Sequence, residues 1–166
     1  LAIAASVQGE QAMSDLLTAA DSDNVELQAA VVKMAGTMPG AKVTTQWVDK
    51  LQKANPVLAA RILAMLGERG DKSAWDAVVK AFGNADAQVV IAAMAAAAKL
   101  GPAEAVEPIL AVLKQNAQPE IITAGRDILM RLPSDKPLLA AGEALKTMPQ
   151  ASRIALMEGL AGRSAT

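Results

Sequence analysis

Met65-Leu66-Gly67 is followed 34 residues later by Lys99-Leu100-Gly101, and each triplet lies between two amphipathic helical patterns. The position of these leucines is filled elsewhere by other apolar residues, so that the whole series reads Val7, Met38, Leu66, Leu100, Leu132 and Leu160. Successive members are 31, 28, 34, 32 and 28 residues apart. Self-similarity at such a period is typical of stacked helical hairpins rather than of a single closed globule.

Turn residues follow the anchors and separate two helices within each repeat. The turns are Pro39-Gly40, Gly67 to Gly70, Gly101-Pro102 and Pro133-Ser134. Apolar residues then recur nine and thirteen places after the anchor, and the four-residue gap puts both on one face of a second helix. These pairs are Leu16 and Ala20, Trp47 and Leu51, Trp75 and Val79, Ile109 and Leu113, and Ala141 and Leu145.

The pattern predicts an all-α fold, a right-handed α-solenoid of about five stacked antiparallel helical hairpins. We expect one array over 1–166, with repeats at about 1–20, 21–54, 55–84, 85–116, 117–147 and a partial repeat at 148–166. The first repeat is expected to break near residue 9 into helices at 1–8 and 10–20. Asn55-Pro56, Asp71 and Asp86 are predicted helix starts.

Residues of the first helices are expected to fill the space between helices according to their size. Small residues seven or eight places before the anchor, such as Ala30, Ala59 and Ala93, allow close approach of helix axes. Larger residues four places before it are expected to pack between the layers: Met34, Ile62, Ile128 and Leu156.

The segments Leu66 to Asp71, Ala74 to Phe82 and Asp86 to Val89 resemble the HEAT-repeat family in its short bacterial form. Leu100-Gly101 with Ala105 to Leu113 repeats the resemblance. Such repeats usually carry an arginine after Asp-x-x-Val that forms an internal polar ladder. Here Val90 occupies that place, with Gln28 and Ile122 at the comparable places of neighbouring repeats, so packing is expected to set the register.

The resemblance implies an α-solenoid whose second helices line a concave surface that holds other proteins, with no shared chemistry. Repeats of this type also occur as non-catalytic regions of large exported bacterial proteins, some with a glycosidase-like domain. This association alone favours an exported or periplasmic location over a cytoplasmic one. Because the chain opens at Leu1 without a methionine, we expect it to be a fragment of a longer protein.

Composition argues against several partner classes. Lys and Arg number 16 and Asp and Glu 17, with the signs interspersed, whereas nucleic-acid binding needs a basic stripe. The longest apolar run, Val89 to Ala98, is about half the length of a membrane span. We therefore expect neither a nucleic-acid partner nor membrane insertion.

The residue types present offer little chemistry, because histidine, cysteine and tyrosine are all missing. Glu104 and Glu107 share a helical face but are interpreted as a solvated helix start. Asp21-Ser22-Asp23-Asn24 is similar to the opening of a calcium loop, yet Glu26 stands where glycine is needed, so helix capping is preferred. Gly159 and Gly162 are interpreted as turn or helix-end glycines. No catalytic, cofactor-binding or metal-binding residue is predicted.

Trp47 and Trp75 occupy equivalent places in adjacent repeats. They could stack a base, a sugar or a peptide side chain, but their spacing matches the buried positions Leu16 and Ile109. Both are therefore interpreted as core residues.

A non-catalytic protein-interaction scaffold is the leading functional hypothesis, with a protein or a neighbouring domain of the same chain as partner. The alternative is a structural spacer in a large exported bacterial protein with a separate catalytic domain. A remote alternative is a HEAT-like enzyme such as a DNA glycosylase or a bilin lyase. The predicted contact residues are the outward ones on the second helices: Gln46, Asp49, Lys50, Lys53, Lys72, Asp76 and Lys80.

Overall fold

The computed structural model describes residues 2–133 and 136–164, and side chains within 11–133 and 139–162. It contains helices and turns throughout these residues, with no strand among them. The helices are α1 (Ala2–Ala19), α2 (Val25–Thr37), α3 (Ala41–Leu51), α4 (Pro56–Arg69), α5 (Trp75–Lys80), α6 (Ala87–Leu100), α7 (Val106–Gln115), α8 (Pro119–Arg131), α9 (Lys136–Ala144) and α10 (Gln150–Ser164). Short 3-10 turns at Lys72–Ala74 and Ala81–Gly83 flank α5, and a third at Leu145–Thr147 extends α9.

Two layers of helices form the molecule. Helices α2, α4, α6, α8 and α10 pack in that order, each against the next, and form the first layer. The second layer consists of α1, α3, α5, α7 and α9, and its members pack against the first layer. This is the alternation of a stacked helical array, so the predicted all-α solenoid is confirmed.

Side-chain caps start most of the described first-layer helices. The Oδ1 atom of Asn55 accepts from the Leu58 N–H at 2.9 Å, and Pro56 fills the first helical position. Asp86 accepts from the Gln88 and Val89 N–H groups, and Asn24 from the Glu26 and Leu27 N–H groups. Each cap satisfies backbone donors that a helix leaves unpaired at its start. The capping interpretation of the Asp21 to Asn24 segment is thereby confirmed.

The closest approach between first-layer helices is that of α4 to α6. A Cβ atom added to Gly67 would lie 2.9 Å from the Ala96 Cα. Ala93, Ala96 and Ala97 are buried on the facing side of α6. Small side chains therefore let the two backbones touch, as the alanine-rich sequence of α6 predicts.

The buried face of two hairpins differs from the predicted one. Met34 was expected to pack between layers but is 57% exposed, and Ala30 is exposed as well, since α2 buries Val31, Val32 and Ala35 instead. In the third hairpin Ala74 and Val78 are fully buried, whereas the predicted pair Trp75 and Val79 is only half-buried. The 3-10 turn before α5 advances about 120° per residue against about 100° in an α-helix, which rotates the buried face by part of a residue.

Two glycine predictions were wrong. Helix α1 runs without a break through Gly9, so the predicted pair of helices at 1–8 and 10–20 is one helix. Gly159 and Gly162 lie inside α10 rather than at its end, and Gly159 packs against Arg126 and Met130 of α8. A glycine within a helix costs only about 1 kcal/mol relative to alanine, so without a proline or a cap beside it the helix continues.

Candidate protein-interaction surface

Arg69 at the end of α4 ties that helix to the preceding hairpin. Its guanidinium donates to the carbonyl oxygens of Ala35 at 2.9 Å, Met38 at 2.7 Å and Gly40 at 3.1 Å. These carbonyls belong to the C-terminal part of α2 and the turn into α3, where helix geometry leaves acceptors unpaired. One side chain thus fixes the angle at which α3 leaves α2.

The same arginine continues into a buried polar chain. Its Nε donates to the Thr44 hydroxyl at 3.2 Å, and that hydroxyl donates to Asp71 Oδ2 at 2.6 Å. Thr44 is fully buried, so its two hydrogen bonds satisfy a polar group that would otherwise be costly. The Thr44 hydrogen bond and those from the Ser73 N–H and hydroxyl hold the pKa of Asp71 below its ordinary value of 3.8, with a smaller contribution from the Arg69 charge.

Further polar contacts join residues about one repeat apart along the chain. Arg61 donates to the buried Gln28 side chain at 2.8 Å. Ion pairs of the same separation are Lys50 with Asp21, Lys72 with Glu104, Lys99 with Glu68, and Arg126 with Glu158. The expectation that packing alone sets the register was therefore wrong: the polar links between repeats have moved to other positions.

A cleft of about 580 Å³ opens in the second layer between α3 and α5. Val48 and Leu51 of α3 line one side, and Asp76 and Lys80 of α5 the other. The buried Val89 of α6 also lines it. We call this space the α3–α5 cleft.

A second cleft of about 430 Å³ lies between α5 and α7. Its lining includes Val79 and Phe82 from one side and Pro108 and Val112 from the other, and it contains no charged residue. Gly83 and Asn84 line both clefts. This α5–α7 cleft is therefore the neighbour of the first, and the two meet at the end of the turn that follows α5.

Asparagines stand at equivalent places beside the clefts. Asn84 Oδ1 accepts from the Asp86 N–H at 2.8 Å, and Asn116 Oδ1 accepts from the Gln118 N–H at 2.9 Å. Asn116 lines the α5–α7 cleft, as Asn84 does. Both side chains are held by the turns they form, so each presents its amide in a fixed place.

The predicted contact residues divide into three groups in the structure. Asp76 and Lys80 are exposed and line the α3–α5 cleft. Lys50 and Lys72 are engaged in the ion pairs with Asp21 and Glu104. The remaining three lie on α3 or just after it, outside the cleft lining: Gln46 half-buried, Asp49 and Lys53 exposed.

The sequence analysis missed the uncharged polar residues of the clefts. They are Gln52, Asn84, Gln115 and Asn116. A signal for two of them was present, because Asn84-Ala85 recurs as Asn116-Ala117 at the 32-residue step between Leu100 and Leu132. The attention given to charge and to tryptophan concealed it.

The two tryptophans have different environments. Trp47 is fully buried, as predicted, and its indole N–H has no hydrogen-bond partner among the described residues. Trp75 is only half-buried and its ring lies against Gly101, where an added Cβ would be 3.2 Å from the Trp75 Cζ3. The core interpretation therefore holds for Trp47 and in part for Trp75.

Two searches of the described residues report on metals and membranes. No three Asp or Glu side chains there come together as a metal site would require, and Glu104 is paired with Lys72 at 3.6 Å. No helix of the described residues is both long and apolar enough to span a membrane.

The family model for HEAT repeats matches residues 44–129, which include both clefts apart from a few margins and span more than half of the chain. The protein therefore belongs to the HEAT-repeat family. A comparison with curated proteins finds no match. HEAT repeats commonly serve as protein-interaction scaffolds and are generally non-catalytic.

Proposed function

We propose that this protein is a non-catalytic interaction scaffold whose second-helix layer binds a protein or a neighbouring domain. The observation that carries the proposal is the pair of adjacent clefts on that layer, at α3, α5 and α7. Each has apolar side chains beside a few polar groups, which is the composition of a recognition site. The contact residues we propose on this surface are Asp76 and Lys80 at the cleft, with Gln46, Asp49, Lys50, Lys53 and Lys72 around it.

A charge-exchange variant tests this surface. Asp76→Lys combined with Lys80→Glu reverses both charges at the α3–α5 cleft and leaves the net charge unchanged. The matched control exchanges Asp23 and Lys33, which are exposed at the start and along the outer side of α2. Partners captured from an extract of the host organism are quantified by mass spectrometry against each variant.

The proposal expects the cleft variant to lose a protein that both wild type and the control retain. Circular dichroism melts of all three proteins establish that the fold is equally intact. Equal capture by wild type and the cleft variant would reject the second-helix surface as the site.

A further inference from the structure

We infer that the two clefts bind a single extended segment of a partner protein in the polyproline II conformation, with apolar side chains three residues apart entering the α3–α5 and α5–α7 clefts. This inference rests on the proposed function and specifies the kind of partner. It follows from the distance between the clefts, their chemistry and the shape of the ground between them.

The distance between the clefts is set by helix packing. Each cleft lies between neighbouring second-layer helices, and packed helix axes are about 8–10 Å apart. A chain in the polyproline II conformation advances about 3.1 Å per residue and about 9.3 Å in three residues. Side chains three residues apart therefore reach successive clefts.

Side-chain direction distinguishes polyproline II from other conformations. With three residues per turn, positions i and i+3 of a polyproline II segment point to the same side. In a β-strand the same two positions point to opposite faces, so only one of them could enter a cleft. A bound helix would need a single long groove for anchors at i, i+4 and i+7, whereas these clefts lie side by side across the helices.

Charge further restricts the segment. The lining of the α5–α7 cleft is uncharged, and that of the α3–α5 cleft carries one acid and one base, Asp76 and Lys80. Neither cleft attracts a segment of strong net charge, so the complement is an apolar side chain at each site. Charged side chains inside the uncharged cleft would lose hydration without a partner.

Hydrogen-bond donors for the backbone of the segment are present as well. A polyproline II chain makes no internal hydrogen bonds, so its carbonyl oxygens need donors. Asn84 and Asn116 use their Oδ1 atoms in their own turns, which leaves the Nδ2 groups as donors of the side chains that line the clefts. Their 32-residue repetition matches one step of the helical array.

Gly83 forms the low ground between the clefts. It is exposed, it lines both, and a Cβ added to it would meet nothing within 4 Å. A segment that crosses from one cleft to the other passes over this residue. A large side chain here would obstruct the path without disturbing the packing beneath it.

The test uses the full chain and two fluorescein-labelled peptides in fluorescence anisotropy titrations. The first peptide is three copies of Leu-Pro-Pro, which places leucines three residues apart. The second has the same composition with the leucines adjacent. Protein variants are Gly83→Leu and a control, Gly162→Leu, which adds the same side chain to open space on α10 of the first layer.

The inference expects saturable binding of the first peptide, about tenfold weaker binding of the second, and a loss of about tenfold or more in Gly83→Leu. Gly162→Leu keeps the wild-type affinity, and far-ultraviolet circular dichroism shows all proteins equally helical. Absent binding, equal binding of both peptides, or full binding by Gly83→Leu would each overturn it. These failures leave the proposed function standing if the Asp76 and Lys80 exchange still loses a captured partner.

Discussion

At the scale of single residues, Arg69 shows how one long side chain can replace a repeated ladder. Its planar guanidinium reaches the carbonyls of Ala35, Met38 and Gly40 together with the Thr44 hydroxyl. Lysine could not do the same, because it offers a single point charge rather than a fork of five donors. The sequence shows that an arginine is present here, but its partners lie about thirty residues away and depend on how the hairpins stack.

Arg69→Met is therefore expected to destabilise the protein by about 1.5–3 kcal/mol or more, because carbonyls at the end of α2 lose a charged donor. Urea unfolding followed by circular dichroism measures the change. Arg131→Met is the matched control, since Arg131 ends α8 in the same way but is exposed, and it is expected to change stability by less than about 0.5 kcal/mol. Similar losses in both variants would contradict the role given to Arg69.

Asp71 gives the same network a dependence on pH. Its pKa is lowered in the folded protein, mainly by the Thr44 hydroxyl and the Ser73 groups, so the unfolded chain binds its proton more tightly. The stabilisation is complete above the ordinary pKa of 3.8 and is lost as the pH falls through the lowered value.

Asp71→Asn is expected to lower the melting temperature at neutral pH and to weaken its decline on acidification below about pH 4. Thermal melts at a series of pH values compare the variant with wild type. Parallel curves for the two proteins would show that Asp71 does not couple folding to proton binding.

At the scale of helices, local signals in the sequence placed most helix starts but not the orientation of every helix. Asn55, Asp71 and Asp86 cap the helices or turns predicted for them, because a cap acts within three residues of itself. The buried face of α5 was misjudged, since its rotation depends on the preceding 3-10 turn. Met34 was misplaced because the neighbours of α2, rather than its own periodicity, decide which residues are covered.

The contact of α4 with α6 gives a prediction at this scale. Gly67→Ala would bring a methyl group to 2.9 Å from the Ala96 backbone, so the helices must separate, at a cost of about 1–3 kcal/mol. Gly142→Ala in α9 meets nothing within 4 Å and is expected to be neutral or to stabilise by up to about 1 kcal/mol. Chemical denaturation of both variants provides the comparison, and a neutral Gly67→Ala would show that the two helices can separate freely.

At the scale of the whole molecule, each hairpin depends on its neighbours. The apolar residues of α4 and α5 are covered by α2 and α3 on one side and by α6 on the other. A hairpin of about thirty residues loses roughly 1–2 kcal/mol of backbone entropy per residue on folding, more than its own few apolar contacts return. Stability of such arrays comes from nearest-neighbour interfaces.

A peptide covering 55–84 alone is therefore expected to be largely unfolded in dilute buffer, while the full chain is helical. Far-ultraviolet circular dichroism of the two measures the difference directly. A fully helical isolated hairpin would contradict the dependence on neighbours.

The sequence by itself determined the class of fold, the positions of most helices and the two-layer arrangement, because periodicity, caps and turn residues act over short stretches of chain. Only the tertiary structure decided which polar residues link the repeats and where the clefts open. Those features join residues about thirty positions apart, and small rotations of each helix select which side chains meet. Asp76 and Lys80 were found from the sequence as outward residues of a helix, whereas Gly83 acquires its place between two clefts only when three second-layer helices lie side by side.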